Sequence, residues 1–111
     1  MQNSRNMESS EDFNKTENEL FWNAKIVDLV ELVFALQEAK VFNSGKIHTK
    51  LLMRTLCGMF NLNMSDCFAH YMSIRNRPGS RTRFLDKLKV LLDNKMNKDE
   101  EDIHIRYRRK Q

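Results

Sequence analysis

Apolar residues recur at helical spacing in four stretches of this chain, and nowhere do they alternate long enough to make a strand. The first stretch runs from about Ala24 to Lys40. Ile26, Leu29, Val30, Val33 and Leu36 fall on one face there, and Asn23 stands where a cap is wanted. Asp28, Glu31 and Glu38 lie off that stripe, while Leu32 and Phe34 widen it. Such a helix is either central in a bundle or partly at an interface. Asn43-Ser44-Gly45 breaks the pattern. A second helix follows from about His48 to Phe60, with Leu51, Leu52, Thr55, Met59 and Phe60 on one face. Gly58 weakens it by ~1 kcal/mol relative to alanine.

Asn61-Leu62-Asn63 reads as a short connector to a third helix, from about Ser65 to Asn76. Its inner face is Met64, Cys67, Phe68, Tyr71 and Ile74. Its outer face is Ser65, Asp66, Ala69, His70, Ser73 and Arg77. Pro78-Gly79-Ser80 stops it. A fourth helix begins near Ser80 to Thr82, where either hydroxyl can cap, and runs to about Met96. Phe84, Leu85, Leu88, Leu91 and Leu92 give it the cleanest amphipathic pattern in the chain. Asp99 to Asp102 reads as a charged break.

These elements predict an all-α fold, a small four-helix bundle of helix-turn-helix character, with room for a short winged hairpin around Val41 to Ile47 or Arg77 to Arg81. The domain organisation that follows is a polar, disordered N-terminus over residues 1–20, a helical domain over 21–97 and a charged tail over 98–111. The first segment is rich in Asn, Ser and Glu and has little to bury. A core drawn from the remainder is small but sufficient for one domain.

Charge changes the picture more than composition does. The net charge is +4, but it is unevenly spread. Residues 1–40 are acidic on balance, residues 41–98 strongly basic, Asp99 to Asp102 acidic and the last residues basic again. Such asymmetry points to an anionic partner. The basic residues concentrate between the third and fourth helices, where Arg75, Arg77, Arg81, Arg83, Lys87 and Lys89 surround one acid, Asp86. Arginine pairs bidentately with phosphates and guanine edges, and free amides at the start of a helix add an anion site. The plainer reading of such a cluster is a solvated basic face.

Two helices joined by a short connector resemble a helix-turn-helix, whose second helix must offer a polar face to the major groove while the other face packs on the scaffold. The third helix meets that requirement. The residues expected at a duplex-DNA interface are therefore Ser65, Asp66, Ala69, His70, Ser73, Arg75, Arg77, Arg81, Thr82, Arg83 and Lys87. Tyr107-Arg108-Arg109-Lys110 adds the potential for nonspecific backbone affinity.

Other chemistries find little support. Cys57, Cys67 and His70 match no zinc spacing, and two cysteines make no disulfide scaffold. No nucleophile elbow, phosphate loop or carboxylate pair is present. The expectation is a protein that is not an enzyme, with no cofactor, metal or small-molecule substrate. The apolar runs fall far short of the ~20 residues of a membrane span, and Met1 to Lys15 lacks a signal-peptide core. A cytoplasmic location without membrane partners is expected.

One further pattern is familiar. Leu29 to Leu36, Phe42-Asn43-Ser44-Gly45-Lys46, Met59-Phe60-Asn61-Leu62-Asn63, Tyr71 to Arg77 and Arg81-Thr82-Arg83-Phe84-Leu85-Asp86-Lys87-Leu88 together resemble the C-terminal half of the RteC family of bacterial regulators. The resemblance covers about Leu20 to Met96. It implies a DNA-binding transcriptional regulator related to winged helix-turn-helix proteins, tied to the excision and transfer genes of a conjugative transposon, a mobile element. It also implies that the third helix enters the major groove, with Arg75, Arg77, Arg81 and Arg83 at or near the backbone. One small module reads few base pairs, which favours a homodimer. The competing reading is a protein-interaction module without DNA binding, docking through Trp22, Leu32 and Phe34 on the first helix.

Overall fold

The computed structural model describes residues 19–64 and 66–110, with side chains through His104. The polar segment expected to be disordered lies almost entirely outside the described residues. Among the described residues four α-helices follow in order: α1 (Ile26–Glu38), α2 (Thr49–Met59), α3 (Cys67–Arg75) and α4 (Arg83–Lys110), with one 3-10 turn at Asn43–Gly45. The fold is all-α, as the periodicity predicts, and the described residues contain no strand. Both segments considered for a winged hairpin are turns and bends instead. Among the described residues, no helix is long and apolar enough to cross a membrane.

α1 is the hub. It packs against each of the other three helices, and Leu29, Val30 and Val33 are fully buried. Leu52, Met53 and Cys57 from α2 and Cys67 and Ile74 from α3 complete the buried core. The width of the α1 apolar arc follows from this position, because a helix covered on several sides must be apolar over more than one stripe. Leu32 and Phe34, offered above as a docking face, are half-buried. Phe34 stacks on Tyr71 at 4.2 Å and meets Phe68 edge-on at 5.8 Å. Trp22 stacks on Phe60 and meets Phe84 edge-on. Through these rings Trp22 and Phe34 pack against the core.

Local endings depart from the sequence expectations in instructive ways. α1 starts after Lys25 with no side-chain cap, so Asn23 does not serve as one. Its far end passes into the loop through residues in the left-handed region, Lys40, Asn43, Ser44 and Gly45. α2 closes in a Schellman turn. Asn61 takes φ 56°, the Leu62 amide donates to Cys57 O at 2.9 Å, and the Asn61 amide donates to Gly58 O at 3.4 Å. Leu62 then packs on the core. This arrangement stretches the connector to residues 60–66, longer than the turn expected from Asn61-Leu62-Asn63. α3 begins at Cys67, with Asp66 as its cap.

The largest departure is α4. Asp99 to Asp102 does not break it, and the helix continues through to Lys110. Glu100 and Glu101 are good helix formers, and the intrahelical pairs Lys89–Asp93 and Lys95–Asp99 support the helix at i,i+4 spacing. At 28 residues it is about 42 Å long, far longer than the body it leaves. Phe84 and Leu85 are half-buried, whereas Leu88, Leu91 and Leu92 are exposed. The stripe read as core therefore packs only over its first turn.

Candidate nucleic-acid interface

The junction between α3 and α4 is organised around one acid. Glu31, in the middle of α1, is 5% exposed. Its Oε1 accepts from Arg77 Nη1 at 2.8 Å, and its Oε2 accepts from the Leu85 amide at 2.8 Å. Leu85 is the third residue of α4, where a helix leaves an amide unpaired. Glu31 thus caps α4 from another helix. The periodicity places Glu31 on the polar side of α1, but the structure buries it, because a carboxylate is stable inside when a cation and an amide both meet it.

This arrangement revises the arginine cluster. Arg77 points inward, pairing with Glu31 and donating to Arg81 O at 2.9 Å. Arg83 folds back over the loop, donating to Pro78 O at 2.6 Å and Ser80 O at 3.1 Å. Both guanidiniums brace the connector; Arg77 is committed to Glu31, while Arg83 is exposed and without a carboxylate partner among the described residues. The α4 amide expected to bind an external anion already holds Glu31. Neither hydroxyl caps α4 either. Ser80 and Thr82 donate to the two oxygens of Asp86, at 2.6 and 3.0 Å, and hold its carboxyl below the usual range.

The other expected contacts divide. Asp66 is exposed but engaged, accepting from the Ala69 amide at 3.0 Å. Its carboxylate serves as the cap of α3. Ser65 lies outside the described residues. His70 is half-buried. Ala69 and Ser73 are exposed on the outer face of α3 as read from sequence, joined by Asn76. Arg75 is exposed, its guanidinium 6.0 Å from the Tyr71 ring centre and 3.4 Å from Met72 Sδ. Arg81, Thr82 and Lys87 are exposed, and Arg81 and Lys87 have no ion-pair partner among the described residues.

Three cations escaped the sequence reading. Lys46, Lys50 and Arg54 recur every fourth residue into and along α2 and are exposed, a spacing that puts them on one side of the helix. Lys50 and Arg54 line a groove of about 470 Å³ with Met53, Met64, Asp66 and Phe68. Its floor holds Cys57 and Cys67, both free. Burial pushes both thiols up, and for Cys57 the proximity of Cys67 adds to the effect. Among the described residues, no group of three or more His, Cys, Asp or Glu side chains gathers into a metal site.

The exposed face of α3 is therefore bordered by cations at both ends. Lys50 and Arg54 from α2 stand beside its N-terminal end, and Arg75 and Arg81 stand at its C-terminal end. The exposed side of α3 between them carries Ala69, Ser73 and Asn76, together with Phe68 and Met72.

A family model described as RteC protein matches residues 1–100. No curated protein and no solved structure gives a significant match to the chain. The chain belongs to the RteC family. The match reaches back through the first twenty residues, which the resemblance read from the motifs had left out.

Proposed function

We propose that this RteC-family chain binds duplex DNA as a transcriptional regulator linked to the excision and transfer genes of a mobile element. It acts as a binding protein, without a catalytic step or cofactor. The observation that carries this reading is the exposed face of α3, Ala69, Ser73 and Asn76, bordered by cations that come from separate elements. α3 would lie in the major groove. Lys50 and Arg54 would hold the backbone on one side, and Arg75 and Arg81 would hold it on the other. Family membership supports a regulator associated with conjugative transposons.

The test is fluorescence anisotropy on random duplex and on DNA upstream of neighbouring genes, across a salt series. Binding should weaken steeply as salt rises. The double variant Lys50→Glu, Arg54→Glu should lose affinity on every sequence and show a shallower salt slope, by about one per lost phosphate contact. Arg75→Ala with Arg81→Ala should act the same way. Ser73→Arg should alter sequence preference. Both double variants binding like the parent, while remaining folded, would remove the proposed interface.

A further inference from the structure

The apolar stripe of α4 has no cover among the described residues. Beyond Leu85 it continues through Leu88, Leu92, Met96 and Ile103, at 37, 57, 47 and 61% exposure. The spacing keeps these residues on one side of the helix, with Asp99 among them, and Leu85 to Met96 and Leu92 to Ile103 repeat after eleven residues, the period of a gently right-handed pair of helices. A helix that leaves its body gains little from tertiary packing, and isolated helices are marginal in water. This stripe needs an occupant.

We infer that a second copy of this chain occupies it, with the two α4 helices packed antiparallel about a two-fold axis beside Asn94. The charges flanking the stripe decide the occupant and its direction. Lys89 and Glu100, eleven residues apart, lie on the same flank of the stripe. An antiparallel two-fold sets Lys89 against Glu100 of the partner subunit, and symmetry makes the contact twice. The same register sets Leu92 against Met96 of the partner subunit. A parallel pair would instead set Asp99, which lies on the stripe, against its own copy, which is repulsive. The intrahelical partners of these charges are exposed i,i+4 pairs, Lys89–Asp93 at 3.1 Å and Lys95–Asp99 at 2.9 Å. Such pairs exchange readily, so Lys89 is free to bridge to the second helix. The contact uses α4 beyond its first turn and leaves the α3 face open, so it stands whether or not the chain binds DNA.

Sedimentation equilibrium on the full chain tests this. The parent should form a dimer at micromolar concentrations, and Leu92→Glu should weaken it at least tenfold with helical content of the α1–α3 body unchanged. Because Leu92 is exposed, its replacement leaves the core intact. Lys89→Glu should weaken the dimer, and Lys89→Glu with Glu100→Lys should restore it. Restoration separates the specific pairing from general stickiness. A parent that stays monomeric at hundreds of micromolar overturns the inference. So does a dimer that Leu92→Glu leaves unchanged, or one in which the charge swap restores nothing. Monomeric parent protein with slow hydrogen exchange along residues 88–103 would mean that another segment of the same chain covers the stripe, which also overturns it.

Discussion

Glu31 and Leu85 are joined by a hydrogen bond between a carboxylate in the middle of one helix and a backbone amide in the first turn of another, 54 residues later in the chain. The other carboxylate oxygen holds Arg77. This one side chain fixes the direction in which α4 leaves the body. Glu31→Ala would strand the nearly buried Arg77 guanidinium and uncap α4. The expected cost is about 3–5 kcal/mol, the scale for removing one partner of a buried pair. Glu31→Gln keeps an acceptor and should cost less. Urea unfolding followed by circular dichroism checks both, and a cost within 0.5 kcal/mol for Glu31→Ala, roughly the level of an ordinary surface substitution, would show that the cap contributes nothing.

The Asp86 carboxyl should titrate below its ordinary value of 3.8, because Ser80 and Thr82 donate to it. A depressed folded-state value means that the stabilising effect is present above the unfolded value and disappears as pH falls through the folded one. An NMR titration of the Asp86 side chain should show the low midpoint. Ser80→Ala should move it back toward 3.8, since Ser80 is the larger cause, and Thr82→Ala should do so to a lesser degree.

Cys57 and Cys67 should react slowly with thiol reagents near neutral pH, since burial raises both above the ordinary thiol value of 9.0 and the thiolate is the nucleophile. Folding therefore favours the protonated thiols. Stability should fall as pH rises above about 9, where the unfolded chain loses these protons and the folded chain keeps them. Labelling with and without urea checks the first point, and unfolding curves between pH 7 and 10 check the second. Rapid labelling of the folded chain at pH 7 would contradict the buried placement.

Two glycines should respond in opposite directions. At Gly45, φ is +81° and a Cβ would come within 2.7 Å of Lys40 Cγ. Gly45→Ala should cost about 1–2 kcal/mol, the penalty for an L-residue in the left-handed region. Gly58 lies within α2, and an added Cβ there meets nothing within 4 Å. Gly58→Ala should stabilise by roughly 0.5–1 kcal/mol. Thermal or urea unfolding of the pair reads both signs in one experiment.

The sequence by itself determined that four helices form, that Cys67, Tyr71 and Ile74 turn inward on α3 and which family the chain resembles; Phe68, read with them, is 42% exposed, and Arg77, read as outward, pairs inside with Glu31. Those properties are local. The 3.6-residue period of Cys67, Tyr71 and Ile74 is visible without knowing what covers them, and the motif strings are simply read. The positions of Lys50 and Arg54 were legible too, as cations every fourth residue, but only the groove beside α3 gives them meaning. Tertiary structure alone decided the fate of the charges. Glu31 looks like an exposed acid until Arg77 and the Leu85 amide, 46 and 54 residues away, supply the partners that let a carboxylate be buried. Arg77 looks like a ligand for phosphate until Glu31 and the Arg81 carbonyl take its guanidinium. The stripe of α4 looks like core until the helix is seen to outrun the body. A burial pattern in sequence records that a face is apolar, whereas which surface meets it depends on how far the neighbouring helices reach.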